Sequence, residues 1–199
     1  MYNRAMPVVY ETETPLAPRI GLGPYRDADY RALPDEPRCE LLYGRLLVTP
    51  APVVWHQLVV GRILRLLQDL GHSTGGLAVV SPVDVRLADH SVVQPDVIYV
   101  SRARSAIVRQ RIEGAPDLVV EVLSPGTARR DLGEKLRLYA ESGVAEYWIV
   151  DPEARTFELL VNDAGGFRVL VPDGTLYRSA AVAGLELDLE AFWRSLSAR

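Results

Sequence analysis

The sequence predicts an α/β fold: a mixed central sheet flanked by helices, with antiparallel hairpin extensions. Three observations carry this. The runs QPDVIYV (94–100) and DLVVEVLS (117–124) are nearly continuous and rich in β-branched residues, the pattern of strands buried on both faces. Segments 54–70 and 131–142 instead repeat apolar residues at helical spacing. Between 156 and 171, two short apolar runs flank a turn at 162–166, which reads as a hairpin.

Residues 1–24 contain prolines and show no periodicity, so they are read as a mobile N-terminal arm, with a single domain over 25–199. Tyr25–Leu33 is expected as a short helix ended by Pro34, and Cys39–Val48 as a hairpin turning at Tyr43-Gly44. Val54–Leu70 is an amphipathic helix with Leu58, Val59, Ile63, Leu66, Leu67 and Leu70 inward, Gly71 as its stop and His56 in its first turn. Leu77–Leu87 alternates as one strand, with Asp84 and Arg86 on a solvated face. Asp89 and His90 turn the chain into the strand of Asp96. Ser101–Ile112 carries Arg102, Arg104, Arg109 and Arg111 and no acid. Strands are expected at Glu146–Val150, Thr156–Val161 and Phe167–Val171, then a terminal strand and helix within Leu185–Trp193.

Composition narrows the function. The chain has 199 residues, 48% apolar and 24% charged, which suits one soluble domain with a good core. Its single cysteine, Cys39, excludes an internal disulfide framework and reads as a buried thiol. His56, His72 and His90 lack metal-ligand spacing, the last two being expected in loops. Neither a signal sequence nor a membrane span is visible, so a cytoplasmic protein is expected. The formal net charge of −4 argues against indiscriminate binding to nucleic acid. Phosphate-loop, dinucleotide, nucleophile-elbow and CxxC motifs are absent.

The chemistry concentrates between Gln94 and Tyr139. Asp96 opens one apolar strand and Glu121 sits in the middle of the next. A carboxylate there is costly unless a cation compensates it. The helix after it has Asp131 as its expected N-cap, Glu134 completing a capping box, and Gly143 as its stop. Leu132, Leu136, Tyr139 and Ala140 form its apolar stripe, and Lys135, the only lysine in the chain, lies on that stripe. Its ammonium is therefore directed at the sheet, where Glu121 and Asp96 are the candidate partners. Two carboxylates and a lysine can hold a hard divalent cation, and they can equally form a structural ion pair. From the residues alone both readings stand open.

Pro95-Asp96, then Glu121-x-Leu123, then a lysine on the next helix, resembles the PD-(D/E)XK nuclease superfamily. More closely, PDLVVEVLSPGTARRDLGEKLRLYAESGVAEYWIVDPEARTFEL resembles the bacterial Uma-two family of restriction-endonuclease-like proteins, and CELLYGRLLVTPAP, His56 and VVQPDVIYV fit it too. The resemblance spans residues 25–193. It implies a restriction-endonuclease-like core, with Asp96 and Glu121 as ligands of Mg2+ or Mn2+ and Lys135 as the catalytic lysine. The implied substrate is nucleic acid, DNA first, and the implied assembly a homodimer. Position 123, where the superfamily places its lysine, is Leu123, so Lys135 has to supply the ammonium from the helix. Glu40 is a candidate further metal ligand, set against an ordinary hairpin glutamate. His56 could contact phosphate or orient Glu40. Arg102, Arg104, Arg129 and Arg130 would make a basic rim for the phosphate backbone, if both segments border the site. Two rivals remain: a nuclease-fold module that binds nucleic acid or a protein without cutting, and a hydrolase of other phosphoesters.

Overall fold

The computed structural model describes residues 21–164 and 166–197. Most of the expected arm, residues 1–20, lies outside them. Helix α1 (Asp27–Arg31) leads to the hairpin β1 (Cys39–Leu42) and β2 (Arg45–Val48). Helix α2 (Val54–Thr74) precedes β3 (Leu77–Val80), β4 (Val85–Ala88), β5 (Ser91–Val93) and β6 (Val97–Val100). A 3-10 turn at Arg102–Ile107 leads to β7 (Ile112–Glu113) and β8 (Leu118–Val122). A helical segment then runs through α3 (Ala128–Arg130), a π turn (Asp131–Lys135) and α4 (Leu136–Ser142). The chain continues with β9 (Glu146–Asp151), β10 (Thr156–Asp163), β11 (Gly166–Val169), β12 (Leu176–Arg178), β13 (Glu186–Asp188) and α5 (Leu189–Ser197).

The central sheet has six strands in the order β11-β10-β9-β8-β6-β3, antiparallel except for the parallel pair β8–β9. A second sheet, β2-β1-β5-β4-β7, packs against one face of it. Alternate residues of the central strands feed two cores, as the pleat requires. Val97, Tyr99, Leu118, Val120 and Trp148 face Val59, Ile63 and Leu67 of α2 and Phe192 of α5. Ile98, Val119, Tyr147 and Ile149 face Leu138 and Tyr139 of α4, and Leu42, Val85 and Val93 of the second sheet. Each such aliphatic side chain, fully buried, stabilises by about 1.5–3 kcal/mol.

Several expectations need correction. The strand expected over Leu77–Leu87 is two strands in different sheets, broken at Ser81-Pro82, where proline has no N–H to give a ladder. Asp84 and Arg86 are half-buried and held by partners instead of simply solvated. Asp84 Oδ1 accepts from Tyr30 Oη (2.9 Å) and Gln94 Nε2 (2.9 Å), while Arg86 pairs with Asp27 at 3.2 Å. Helix α2 passes through Gly71 and stops at Gly75, whose φ of +75° suits a glycine C-cap. Gly71 is internal for a packing reason: a Cβ there would meet the Gly76 carbonyl oxygen at 2.8 Å. His72 is accordingly helical. The hairpin turn at Tyr43-Gly44 is as expected, with both residues at positive φ.

Helix α1 is shorter than expected and is tied down by charge. Asp27 is buried, with Oδ1 and Oδ2 taking a fork of hydrogen bonds from Arg111 at 2.5 and 2.7 Å. The Arg111 hydrogen bonds hold the Asp27 carboxyl below the usual carboxylate range, against the opposing effect of burial. Asp27→Asn should destabilise the protein by about 2 kcal/mol at neutral pH. Because the folded pKa is depressed, that contribution is present above the unfolded value and disappears as pH falls through the folded one. Urea titrations at pH 7 and at successively lower pH should therefore show a gap that closes in acid.

Candidate active site

The pleat sets the first two residues. Asp96 shares the parity of Ile98, and Glu121 that of Val119, so both side chains point toward α4 and the second sheet. The antiparallel register pairs Val97 with Val120, and one step further places Asp96 opposite Glu121. Asp96 Oδ2 accepts from the Val122 N–H at 2.8 Å, which fixes the aspartate against the neighbouring strand.

The helical segment supplies the third. It begins three residues before the expected N-cap, with Thr127 preceding it, so Asp131 lies inside the helix and is buried. The π turn adds a residue to the turn and rotates the rest of the helix, leaving Leu132 44% exposed. Asp131, Lys135 and Tyr139 then form an inward row at i, i+4, i+8. Lys135 Nζ lies 2.8 Å from Glu121 Oε1, 2.9 Å from Glu40 Oε1 and 3.6 Å from Asp131 Oδ1. Tyr139 Oη donates to the same Glu121 Oε1 at 2.6 Å.

Glu40 proves to be part of this cluster rather than an ordinary hairpin glutamate. It is 1% exposed, accepts from the Gln94 N–H at 2.6 Å and lies 3.4 Å from Arg130 Nη1. His56 is also present, but its Nε2 lies 3.2 Å from Asp96 Oδ2 instead of orienting Glu40. Four carboxylates thus face two permanently paired cations, Lys135 and Arg130, with His56 as a third when protonated.

Burial and crowding set the proton affinities. Burial pushes Glu121 well above the usual carboxylate range, only partly countered by Lys135. Burial likewise raises Asp131, to about 6. Glu40 also meets a burial penalty, yet Lys135, Arg130 and the Gln94 N–H bring it below the ordinary value. Burial opposes the charge on Lys135, but Glu121, Glu40 and Asp131 together raise it well above normal, so it is an ammonium. His56 is raised in spite of burial because Asp96 accepts its hydrogen bond and adds a negative charge.

These groups line a cavity of about 70 Å³, with Arg38, Gln94, Ser124 and Thr127 on its wall. The expected basic rim is not assembled around it. Arg102 and Arg104 lie beyond the far end of β6 from Asp96, roughly 13 Å of strand away at ~3.3 Å per residue. Arg102 instead packs over Gly75 at the end of α2. Arg130 is buried against Glu40 and the Val48 carbonyl, while Arg129 alone of the four is both exposed and close. Sequence reasoning missed Asp131 and Tyr139 as site residues, although their spacing of four on either side of Lys135 was a usable signal.

A family model described as "Putative restriction endonuclease", Uma2, matches residues 27–190. The chain belongs to the Uma2 family. In this Uma2 protein the departure at Leu123 has a geometric counterpart, because the helix carries Lys135 to Glu121. A solved structure of "a putative nuclease belonging to DUF820" from Anabaena variabilis ATCC 29413 is similar, with 19% identity and a TM-score of 0.73. The match covers 87% of this chain and 99% of that one. At that identity the likeness bears on the fold, which is the restriction-endonuclease-like α/β class expected. No curated protein matches the chain. Among the described residues, no helix is long and apolar enough to cross a membrane.

The donors of this Uma2 site suit a hard divalent cation. They are all carboxylate oxygens, they outnumber the paired cations, and Asp131 Oδ1 is buried with no hydrogen-bond partner. Among the described residues, no group of three or more His, Cys, Asp or Glu side chains is arranged as a ready cage. Magnesium asks for less, one or two carboxylates with water and phosphate oxygens completing its shell.

Proposed function

We propose that this Uma2 protein is a Mg2+- or Mn2+-dependent endonuclease that hydrolyses phosphodiester bonds in nucleic acid, DNA first, as a cytoplasmic homodimer. The observation that carries the reading is the contact of Lys135 with Glu121, on a strand whose neighbour presents Asp96 directly opposite. Asp96 and Glu121 would hold the cation, with Glu40 a further candidate. The bound ion would lower the pKa of a water ligand and offset charge on a phosphoryl oxygen.

The chain's own residues supply the rest. Lys135 presents an ammonium beside Glu121, placed to orient the attacking water and to stabilise negative charge gathering on the phosphoryl group. Tyr139 and Glu40 hold the two ends of that arrangement. His56 and the Val122 N–H restrain Asp96. Arg129 would help to seat the backbone. A cut in both strands needs two such sites, which is the physical reason for a dimer.

One observation favours the non-cutting alternative: Lys135 already compensates Glu121 and Glu40, as in a purely structural ion cluster. The test is incubation of plasmid, linear duplex and single-stranded DNA with Mg2+, Mn2+ or chelator. The wild type should cut only with metal, and Asp96→Ala and Glu121→Ala should each lose at least about a hundredfold in rate. Undiminished cleavage by Glu121→Ala would overturn the mechanism. Binding without cleavage under every metal condition would favour the nuclease-fold binding module.

A further inference from the structure

A second, larger cavity of about 790 Å³ lies between α1, the loop after it, and the segment 109–113. It shares Arg38 and Gln94 with the carboxylate cavity, so the two are neighbours across one wall. We propose that this larger cleft is the substrate groove, taking the nucleotide next to the scissile phosphate, with Arg38 contacting the phosphate between the two cavities. This inference rests on the nucleic-acid reading above and names where the strand runs.

Gln94 couples the two sides of the wall. Its backbone N–H is bonded to Glu40 in the carboxylate site. Its side-chain amide donates to Asp84 at 2.9 Å and to Tyr30 Oη at 3.2 Å in the cleft. Its amide oxygen accepts from Arg38 Nη2 at 3.1 Å. The other partner of that nitrogen is Ser81 Oγ at 3.2 Å, again a neutral group. Arg38 Nε is buried and has no hydrogen-bond partner. A half-buried guanidinium that lines both cavities and is bonded only to neutral groups is suited to receive an anion, and a phosphate oxygen is the matching acceptor.

The rest of the cleft suits a nucleotide. Its volume admits a sugar and base, half-buried Tyr30 and exposed Pro37 line it, and exposed Arg109 stands at its margin together with Asp35 and with Arg31, which pairs with Asp27. Arg111 also lines it, but Asp27 and Glu113 hold that guanidinium in the wall. Aromatic and guanidinium faces stack bases without regard to sequence, and arginines track the backbone. The arginines left to meet the strand are then Arg38 and Arg109, in place of the Arg102 and Arg104 that the sequence suggested.

The test uses the full chain with chelator present, so that cutting does not interfere. Binding of a fluorescein-labelled twelve-nucleotide DNA, single-stranded and duplex, is monitored by anisotropy at low salt. Arg109→Glu and Arg38→Met should each weaken binding roughly tenfold. Arg65→Glu, on the outer surface of α2, should leave it unchanged. Cleavage is then measured separately with Mn2+. Wild-type binding that survives both cleft substitutions, equal weakening by Arg65→Glu, or no binding by the wild type would each overturn the groove. Binding that responds to the cleft substitutions in a protein that never cuts would leave the groove standing and remove the nuclease reading instead.

Discussion

Lys135→Met should lower cleavage about a thousandfold and destabilise the fold by about 3–5 kcal/mol. The two losses have different origins. Lys135 is 4% exposed and lies within 3 Å of both Glu121 and Glu40, so its removal strands Glu121 and leaves Glu40 with Arg130 and the Gln94 N–H alone. Breaking a buried pair from one side costs more than the pair contributes, because the surviving charge stays out of water. The stability loss is therefore expected even if the protein is no enzyme. The rate loss is expected only if the ammonium serves the reaction. Adding Glu121→Gln to Lys135→Met separates them. The double variant should regain part of the stability in urea unfolding and none of the activity. Wild-type stability in Lys135→Met would contradict the buried cluster.

Glu146→Leu should cost about 4 kcal/mol or more and leave the arrangement around Lys135 in place. Glu146 is fully buried at the start of β9. Its Oε1 accepts from Trp148 Nε1 and Tyr177 Oη, both at 2.6 Å, and its Oε2 accepts from Ser179 Oγ and the Ala181 N–H. Three of these donors, on Tyr177, Ser179 and Ala181, join the central sheet to β12 and the loop after it. Leucine fills similar space but accepts no hydrogen bond, so each donor is left facing an apolar group. Thermal unfolding should show the loss directly. Metal-dependent cleavage by the surviving folded fraction should be normal, since this cluster belongs to the opposite core from Glu121.

Much of the fold was legible in the chain because local pattern and burial agree there. The runs around Val97 and Val119 are apolar on both sides, and they form strands covered on both sides. Gly143 ends its helix as expected, with φ at +81°. Failures occurred where a local signal had a competing tertiary use. Asp131 reads as an N-cap, but its carboxylate is drawn into the cluster around Lys135 and the helix begins earlier. Asp84 and Arg86 alternate like solvent-facing residues, but each has a partner in the network around Tyr30 and Asp27. Arg130 reads as a surface cation and is instead a buried partner of Glu40.

The candidate site divides the same way. Period two along the strands and period 3.6 along the helix are properties of neighbouring residues, so the sequence by itself determined that Asp96, Glu121 and Lys135 could share a face. It did not determine that Glu40 joins them, because β1 reaches the site through the packing of a second sheet on the first. Nor could it separate Arg38 from Arg102. Both are arginines outside the strands and long helices, and only the path of β6 decides which end of the sheet each one meets. Contacts between residues distant in the chain are set by how layers stack, and stacking leaves no periodic mark in the sequence.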